Sequence, residues 1–223
     1  MKPYLTVPFS FSSESFSWIK EFFNPIVTNY EKTAPRAAGL LNLSDEHQKQ
    51  LYESAAWKEI LSFSLKHNLK NPYPQVFIYK KQPTKRSVIL GNPHIDTAGE
   101  GGIAKTVYAR FNILLDGFDS TEMVWWDIDR NDQRIINYQF QRPDHSYIGR
   151  LQAAGNSIKE QWDLVGEPIY KANNLAKIQE YASFVRTDIL HALNWTGEDP
   201  RLVFSIKFDV YSWDEIEKLR SLY

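Results

Sequence analysis

The sequence predicts a single, mainly β domain of 223 residues with flanking helices, in which antiparallel strands form a sandwich or barrel. From Val76 onward the chain consists of short runs rich in β-branched and aromatic residues, separated by turn residues. Most of these runs have no helical pattern between them, and parallel neighbours would need such a crossover. The length also agrees with one domain, since domains usually contain about 100–200 residues.

Residues 1–75 are predicted to be mainly helical. The segment "SSESFSWIKEFFNPIV" places three apolar side chains on one side of a helix, which we expect to end before Pro25. A longer helix is predicted from the N-cap Ser44 through "SDEHQKQLYESAAWKEILSFSLKHN" to the "NPYP" that follows it. Residues 211–223 close the chain with a short helix, because the serine and the first glutamate of "SWDEIEKLRSL" have capping-box spacing.

The β core is predicted within residues 76–210. Its strands are, in chain order, "VFIYKK", "SVIL", "TVYARFNILL", "MVWWDID", "YASFV" and "RLVFSIKFDV". The adjacent Trp125 and Trp126 must point to opposite faces of their strand. Between residues 130 and 170 the pattern loosens, and we predict an insertion across the sheet that is either a lid or substrate-recognition element or a plain surface excursion. His145 in this insertion is a weak candidate for substrate contact.

The composition excludes several classes of function. With 26 basic and 27 acidic side chains and a net charge of -1, the chain has no overall field that would hold a polyanion, and nucleic acid stays open only as a local substrate. It contains no cysteine, so disulfides, thiolate ligands and a cysteine nucleophile are excluded, and any metal must be held by nitrogen and oxygen. The sequence shows neither a signal peptide nor an apolar run of about 18 residues, so we expect a cytoplasmic protein without membrane contact.

The segment "ILGNPHIDTAGE" places His94 and Asp96 directly after a turn marked by Gly, Asn and Pro. Residues i and i+2 of an extended chain project to the same side, so both side chains can reach one point at the end of a strand. Such a triplet is frequent by chance, and a histidine beside a turn is more often a hydrogen-bonded structural residue. On its own, this motif is weak evidence for a metal site.

A second polar cluster lies in "FVRTDILHALNWTGEDPRLVFSIKF", which contains His191 and, ten residues later, Arg201. On the final strand Arg201 and Ser205 share one face, while three large apolar residues occupy the other. An arginine and a hydroxyl are costly inside a barrel unless an anion meets them. The simplest such anion is the carboxylate of a small molecule.

Over about residues 76–210, the chain resembles the iron(II)- and 2-oxoglutarate-dependent oxygenases. The resemblance consists of H-x-D, a distant histidine and an arginine ten residues after that histidine. The resemblance implies a double-stranded β-helix, which is a jelly-roll, cupin-like core. It also implies that His94, Asp96 and His191 hold iron(II) and leave coordination sites open for 2-oxoglutarate and O2. The expected reaction is hydroxylation of an unactivated C–H bond in an unidentified small-molecule or side-chain substrate, with release of succinate and CO2.

The resemblance also implies contacts to the cosubstrate. Arg201 would pair with the distal carboxylate of 2-oxoglutarate. The family's serine often lies two residues after this arginine, at the position of Val203 here, so Ser205 keeps the face but moves the hydroxyl along the strand. On an earlier strand Arg110 and Asn112 share one face, and the family commonly has a polar contact to the keto acid or the substrate there. A solvated face is the equal alternative for these two residues.

Two other classes of function stay open at this point. A cupin-like barrel can use the same three ligands for another metal and reaction, as an isomerase, a lyase or a zinc hydrolase. That alternative leaves Arg201 without a role. The histidines can also be satisfied polar residues in a non-catalytic β-sandwich that binds neither metal nor keto acid.

Overall fold

The computed structural model describes residues 2–33, 38–41, 43–79, 90–98, 105–116, 121–141, 147–173, 182–195 and 201–223. The helices are α1 (Ser13–Thr33), α2 (Asp45–Glu53), α3 (Ala55–Lys66), α4 (Ile158–Val165) and α5 (Trp213–Glu217), and a 3-10 helix at Lys218–Leu222 follows α5. The strands are β1 (Tyr4–Val7), β2 (Ala38–Leu41), β3 (Tyr73–Tyr79), β4 (His94–Ile95), β5 (Thr97–Ala98), β6 (Lys105–Thr106), β7 (Ala109–Asp116), β8 (Thr121–Asp129), β9 (Ile135–Gln141), β10 (Tyr147–Ala153), β11 (Tyr170–Asn173), β12 (Ala182–Arg186), β13 (Ile189–Trp195) and β14 (Arg201–Lys207). His145 and nearly all of the predicted strand "SVIL" lie outside the described residues.

The described strands form two six-stranded antiparallel sheets and a short two-stranded ladder of β5 and β6. The arginine sheet, named after Arg110 in β7 and Arg201 in β14, has the strand order β1-β12-β7-β14-β3-β2. The histidine sheet, named after His94 in β4 and His191 in β13, has the order β11-β8-β13-β4-β10-β9.

Eight of these strands have the connectivity of a jelly roll. Counted along the chain as β3, β4, β7, β8, β11, β12, β13 and β14, they follow the order 6-3-8-1 in the arginine sheet and 5-4-7-2 in the histidine sheet. Antiparallel strands that pass between two sheets in this order form a double-stranded β-helix. The predicted fold class is confirmed. The other four strands of the two sheets extend their edges.

The main core lies between the arginine sheet and the N-terminal helices. Alternate residues of β7 and β14 point into it, as the period-2 pattern predicts, and helices α1 and α3 cover them. Phe63 of α3 stacks on Phe111 of β7 with ring centroids 4.9 Å apart, and Phe23 of α1 meets Phe204 of β14 at 5.7 Å. The opposite face of this sheet therefore points toward the histidine sheet and carries the polar side chains of β7 and β14.

A smaller core covers the outer face of the histidine sheet. Trp126 is 2% exposed, meets the ring of Trp162 in α4 edge to face at 4.9 Å, and donates from Nε1 to the Gly166 carbonyl at 2.7 Å. Its neighbour Trp125 points the other way, into the space between the sheets. The two tryptophans therefore lie on opposite faces, as the sequence predicts.

Helix α1 is longer than the sequence predicts, because it continues through Pro25 to Thr33. A proline inside a helix removes one backbone hydrogen bond and costs about 3 kcal/mol or more. Apolar side chains on both sides of the proline pack on the main core, with Ile19 and Phe23 fully buried before it and Ile26 partly buried after it. This packing offsets the local penalty, which is why the expectation that the helix ends at Pro25 is wrong.

Serine caps divide the predicted second helix into two. Ser54 is in an extended conformation and its Oγ accepts from the Trp57 backbone N–H at 3.1 Å, so α2 ends and α3 begins there. At the C-terminus the predicted capping box does not form within the described residues, because the Ser212 side chain makes no capping hydrogen bond and Glu215 accepts from the backbone N–H of Tyr211, one residue before the cap, at 2.9 Å.

The described strands within residues 130–170 extend the histidine sheet at its edge. Strands β9 and β10 form a hairpin, and β10 pairs with β4 so that Gln152 lies opposite His94. Helix α4 then packs on the outer face of the same sheet. The segment that the sequence describes only as an insertion is therefore a strand pair bonded directly to the strand that carries His94.

None of the helices in the described part of the chain combines the length and the apolar character that a bilayer-spanning helix needs.

Candidate metal centre

His94, Asp96 and His191 meet at one point between the two sheets. The two histidines are cross-strand partners in β4 and β13, with ring centroids 4.6 Å apart. Oδ1 of Asp96 lies 3.4 Å from Nε2 of His94 and 3.9 Å from Nε2 of His191. One ligand atom from each of the three side chains lies within 4.8 Å of the others. This spacing suits one ion bound by all three.

Both imidazole rings are oriented by backbone carbonyls. Nδ1 of His94 lies 2.7 Å from the Asn92 carbonyl, and Nδ1 of His191 lies 2.9 Å from the Ile189 carbonyl. A carbonyl only accepts, so each Nδ1 carries the proton and each Nε2 keeps its lone pair. Metal-binding histidines use this arrangement, in which the second ring nitrogen is fixed by a hydrogen bond.

The backbone of Asp96 is held by a network that includes Thr187, four residues before His191. The Asp96 N–H donates to the Thr187 carbonyl at 3.0 Å, and the Val107 N–H donates to the Asp96 carbonyl at 2.9 Å. The buried Thr187 hydroxyl donates to the Val107 carbonyl at 2.7 Å. The connection that leads into β13 therefore fixes the carboxylate of the H-x-D motif relative to the second histidine.

Gly91 allows the chain to approach β13 just before His94. A Cβ at this position would lie 2.2 Å from the carbonyl oxygen of Leu193, which real Cβ atoms essentially never do. The Gly91 N–H donates to Oδ1 of Asn194 at 3.1 Å, and its carbonyl accepts from Trp162 Nε1 at 2.9 Å. The glycine that the sequence indicates only as a turn residue is therefore required for close packing of the motif on its partner strand.

Arg110 binds the oxygen of Asp96 that faces away from the histidines. Its Nε donates to Asp96 Oδ2 and its Nη1 donates to Gln75 Oε1, while the ring of Phe77 lies 5.1 Å from the guanidinium carbon. Only 7% of Arg110 is exposed. The guanidinium thus bridges the arginine sheet to Asp96 and leaves Asp96 Oδ1 directed toward the two imidazoles.

The electrostatics of the cluster favour a carboxylate beside a neutral imidazole. Burial alone would raise the pKa of Asp96, but the positive charge of the Arg110 guanidinium outweighs it and holds this pKa well below its usual range. Burial, helped by the neighbouring His94, lowers the pKa of His191 to about 4. At neutral pH Asp96 is therefore an anion and His191 an uncharged nitrogen donor, as metal binding requires.

The wall opposite the histidines carries the predicted cosubstrate residues on one face of the arginine sheet. Ser205 in β14 pairs across the strands with Asn112 in β7 and with Gln75 in β3. Within the described residues, Ser205 Oγ and Asn112 Oδ1 are buried without a hydrogen-bond partner. Arg201 begins β14 on the same face as Ser205 and lies opposite Tyr79. A buried polar atom without a partner is costly, so this wall is suited to a polar ligand.

An apolar cluster lines the interior next to His191. Trp125 is fully buried, is the cross-strand partner of His191, and stacks on Tyr4 with centroids 6.0 Å apart. Its indole Nε1 donates to the Arg186 carbonyl at 2.9 Å, so its polar atom is satisfied. The rest of the cluster's buried residues are Met123, Ala172, Val185 and Ile189. This cluster excludes water from one side of His191, in agreement with the lowered pKa.

No family model and no curated protein matches the sequence. Several solved structures are similar to the chain. EctD from S. alaskensis, with 2-oxoglutarate and 5-hydroxyectoine, is 12% identical with a TM-score of 0.47, over 92% of this chain and 72% of that one. EvdO2 from Micromonospora carbonacea var. aurantiaca, complexed with 2-oxoglutarate, is 11% identical with a TM-score of 0.47, over 92% and 85%. A Pseudomonas putida prolyl-4-hydroxylase is 9% identical with a TM-score of 0.41, over 92% and 91%.

Two of these three proteins were solved with 2-oxoglutarate. At these identities and scores the similarity by itself assigns no activity to this chain, and the fold assignment depends on the strand order described above.

Sequence reasoning missed two residues that support the site. Gln75 orients Arg110, and Thr187 holds the backbone of Asp96. Gln75 precedes the alternating apolar residues Val76 and Ile78, so the pattern indicates that Gln75 faces away from the helices. Nothing in the local sequence indicates that its partner is Arg110. Thr187 lies in a turn of ordinary composition and carries no signal.

Proposed function

We propose that this protein is an iron(II)- and 2-oxoglutarate-dependent dioxygenase that hydroxylates an unactivated C–H bond of a small-molecule or side-chain substrate. The observation that carries the proposal is the convergence of Nε2 of His94, Oδ1 of Asp96 and Nε2 of His191 at one point. Two imidazoles and one carboxylate are the donor set of non-haem iron(II) oxygenases, which leave coordination positions open.

The residues present fit the metal. Each histidine has its Nδ1 engaged by a carbonyl, and Asp96 has Oδ2 engaged by Arg110, so one atom of each side chain is directed to the common point. When bound, iron(II) with 2-oxoglutarate and O2 supplies the oxidation that converts R–H to R–OH while 2-oxoglutarate becomes succinate and CO2. The protein itself holds the three donors, and the apolar cluster around Trp125 keeps water from one side of them.

The polar wall of the arginine sheet supports the cosubstrate part of the proposal. Arg201 offers a planar fork that matches a carboxylate, and the unpartnered atoms of Ser205 and Asn112 lie further along the same face. We assign the distal carboxylate of 2-oxoglutarate to Arg201, with Ser205 and Asn112 as further polar contacts. Arg110 stays a candidate for this role as well, although its Nε and Nη1 already bind Asp96 and Gln75.

The hairpin of β9 and β10 supports a role in substrate recognition. It places Gln152, which is 8% exposed, directly beside His94 on the inward face of the histidine sheet. Its Oε1 lies 3.4 Å from Asn92 Nδ2, on the turn that orients His94. A carboxamide next to a metal ligand can donate to a polar group of the substrate without adding charge.

The test is an anaerobic titration of the metal-free protein with iron(II) and then 2-oxoglutarate, following the visible charge-transfer band of a keto acid chelated to iron(II). We expect the band in the wild-type protein and in Arg130→Ala, which removes an exposed arginine that bonds Thr106. In Arg201→Ala we expect the band to require much higher 2-oxoglutarate.

Each alternative gives a different result in the same titration. Tight iron(II) binding without the band would contradict the cosubstrate and favour a cupin-like metal enzyme of another reaction class. The absence of metal binding would leave His94 and His191 as structural residues of a binding protein.

A further inference from the structure

Lys207, the last residue of β14, lies on the same inward face as Arg201 and Ser205. Ile206 pairs with Phe111 of the antiparallel strand β7, so the next residue, Lys207, lies beside Arg110 of that strand. Its ammonium lies 4.8 Å from the ring centroid of Tyr73, its partner in β3. The side chain is thus held at the end of the sheet where Arg110 meets the metal ligand Asp96.

The environment of Lys207 is poor in compensating charge. The side chain is partly buried, and no carboxylate of the described residues lies within ion-pair distance of it. Asp209 is the nearest acid along the chain, and its Oδ2 accepts from Asn71 Nδ2. Burial, and after it the positive charge of Arg110, lower the pKa of Lys207, and the negative charges of Asp96 and Asp209 offset this lowering only in part. A desolvated ammonium without an acidic partner favours a bound anion.

Arg110 differs from Lys207 in this respect, although the two cations are neighbours. The charge of Arg110 is neutralised by Asp96, and its Nη1 donates to Gln75 Oε1. The excess positive charge on this part of the wall therefore belongs to Lys207. The aromatic ring of Tyr73 lies against the ammonium of Lys207. Tyr73 is 48% exposed, so this site is accessible from solvent.

We propose that Lys207 and Tyr73 form a binding subsite for an oxyanionic group of the substrate, a carboxylate or a phosphate, beside the metal centre. This inference rests on the proposed function, because it assigns the subsite to the substrate of that reaction. The substrate then presents its C–H bond to the metal while its anionic group is held by the ammonium and its apolar part packs on the tyrosine ring.

The subsite is distinct from the one assigned to 2-oxoglutarate. Arg201 and Lys207 are six residues apart on one strand, so their Cα atoms are separated by about 20 Å at the usual rise per residue. A five-carbon keto acid held by Arg201 at one end of β14 leaves the other end of the strand to a second molecule. The two cations therefore serve two different anions.

The experiment measures binding of inorganic phosphate and of acetate by isothermal titration calorimetry. The protein is used both metal-free and after anaerobic loading with iron(II) and saturating 2-oxoglutarate. We expect at least one of these anions to bind in both states and to bind about tenfold more weakly to Lys207→Met, the loss typical of a charge-assisted contact. Lys207→Arg should bind within about threefold of wild type, since it keeps the charge.

Two further variants separate this result from non-specific effects. Lys171→Met removes an exposed strand lysine that pairs with Glu167 at 3.6 Å, and it should bind both anions as the wild type does. If Lys207→Met folds poorly in thermal unfolding, Lys207→Gln replaces it with the same expectation.

Three outcomes would overturn the inference: neither anion binds, Lys207→Met binds them as tightly as wild type, or 2-oxoglutarate displaces them competitively, which would assign Lys207 to the cosubstrate. Failure of the proposed function looks different. In that case the charge-transfer band is absent, while the metal-free protein still reports whether an anion binds at Lys207.

Discussion

The two sheets that face each other across the barrel have different chemistry on their inner faces. The histidine sheet carries nitrogen donors in β4 and β13, and Asp96 follows β4 directly. The arginine sheet carries three cations on β7 and β14, namely Arg110, Arg201 and Lys207. The inner face of the histidine sheet suits a metal cation, and the inner face of the arginine sheet suits anionic molecules. Substitutions on the two walls should therefore affect different ligands.

The largest effect is expected from His191→Ala, which removes one of three donors from the histidine sheet. Changing a residue that only orients a metal ligand costs about 10–100-fold in metal affinity, so we expect a loss on the order of 1,000-fold when a ligand itself is removed. Anaerobic competition with a chromophoric chelator measures it. His47→Ala is the matched control. This histidine lies in the first turn of α2, where Ser44 is the N-cap, and the variant should bind iron(II) normally. Wild-type affinity in His191→Ala would refute the assignment of this ligand.

Arg201→Ala tests the opposite wall. We expect iron(II) affinity within about threefold of wild type and a loss of roughly 2–5 kcal/mol in the binding free energy of 2-oxoglutarate, the usual cost of removing one partner of a buried charge pair. Titration of the charge-transfer band measures both quantities. Unchanged cosubstrate affinity would move the carboxylate to another residue, and Arg110 would then be the next candidate.

Arg110→Met should weaken metal binding although Arg110 belongs to the arginine sheet, because its guanidinium binds the carboxylate of Asp96, which follows β4 of the histidine sheet. We expect iron(II) affinity to fall about 10–100-fold, as for other residues that orient a metal ligand, with Arg110→Lys giving a smaller loss. The chelator competition described for His191 applies here too. A variant with normal iron(II) affinity and weakened 2-oxoglutarate binding would instead make Arg110 a cosubstrate residue.

The smallest effect is expected from Ser205→Ala. Loss of one hydrogen bond should weaken 2-oxoglutarate by about 0.5–1.5 kcal/mol and leave iron(II) affinity unchanged. Without cosubstrate, the free energy of unfolding should not fall, because the hydroxyl has no partner among the described residues. Chemical denaturation checks this second point, with the exposed Ser62→Ala as the control. A clear loss of stability would show that the hydroxyl has a structural partner.

Local pattern was sufficient to predict the faces of the core strands. The alternation that puts Arg110 and Asn112 on one face and Phe111 on the other depends only on the period of a strand and on burial, and the structure has it. The same reasoning places Arg201 with Ser205. Local pattern alone predicts a sandwich or barrel, and the observed strand order agrees with the jelly-roll core that the resemblance to the oxygenases implies.

What the sequence did not predict depends on contacts between distant segments. Helix α1 continues through Pro25 because of packing on β14, and the 130–170 segment becomes a hairpin because β4 offers an edge. The Arg110 bridge joins residues of β3 and β7 to Asp96, and only the register of the strands brings them together. None of these contacts leaves a periodic or compositional signal in its own segment.

The hairpin of β9 and β10 also determines where the sheet is open to other chains. Strand β4 is only two residues long, and it is bordered by β13 on one side and β10 on the other. An unpaired strand edge is a template for pairing with another molecule. Because β10 occupies this position, the edge formed by the described strands lies at β9, two strands away from β4, where Asn137 and Tyr138 are exposed. Self-association along this edge would therefore build outward from β9 and leave the strand that carries His94 undisturbed.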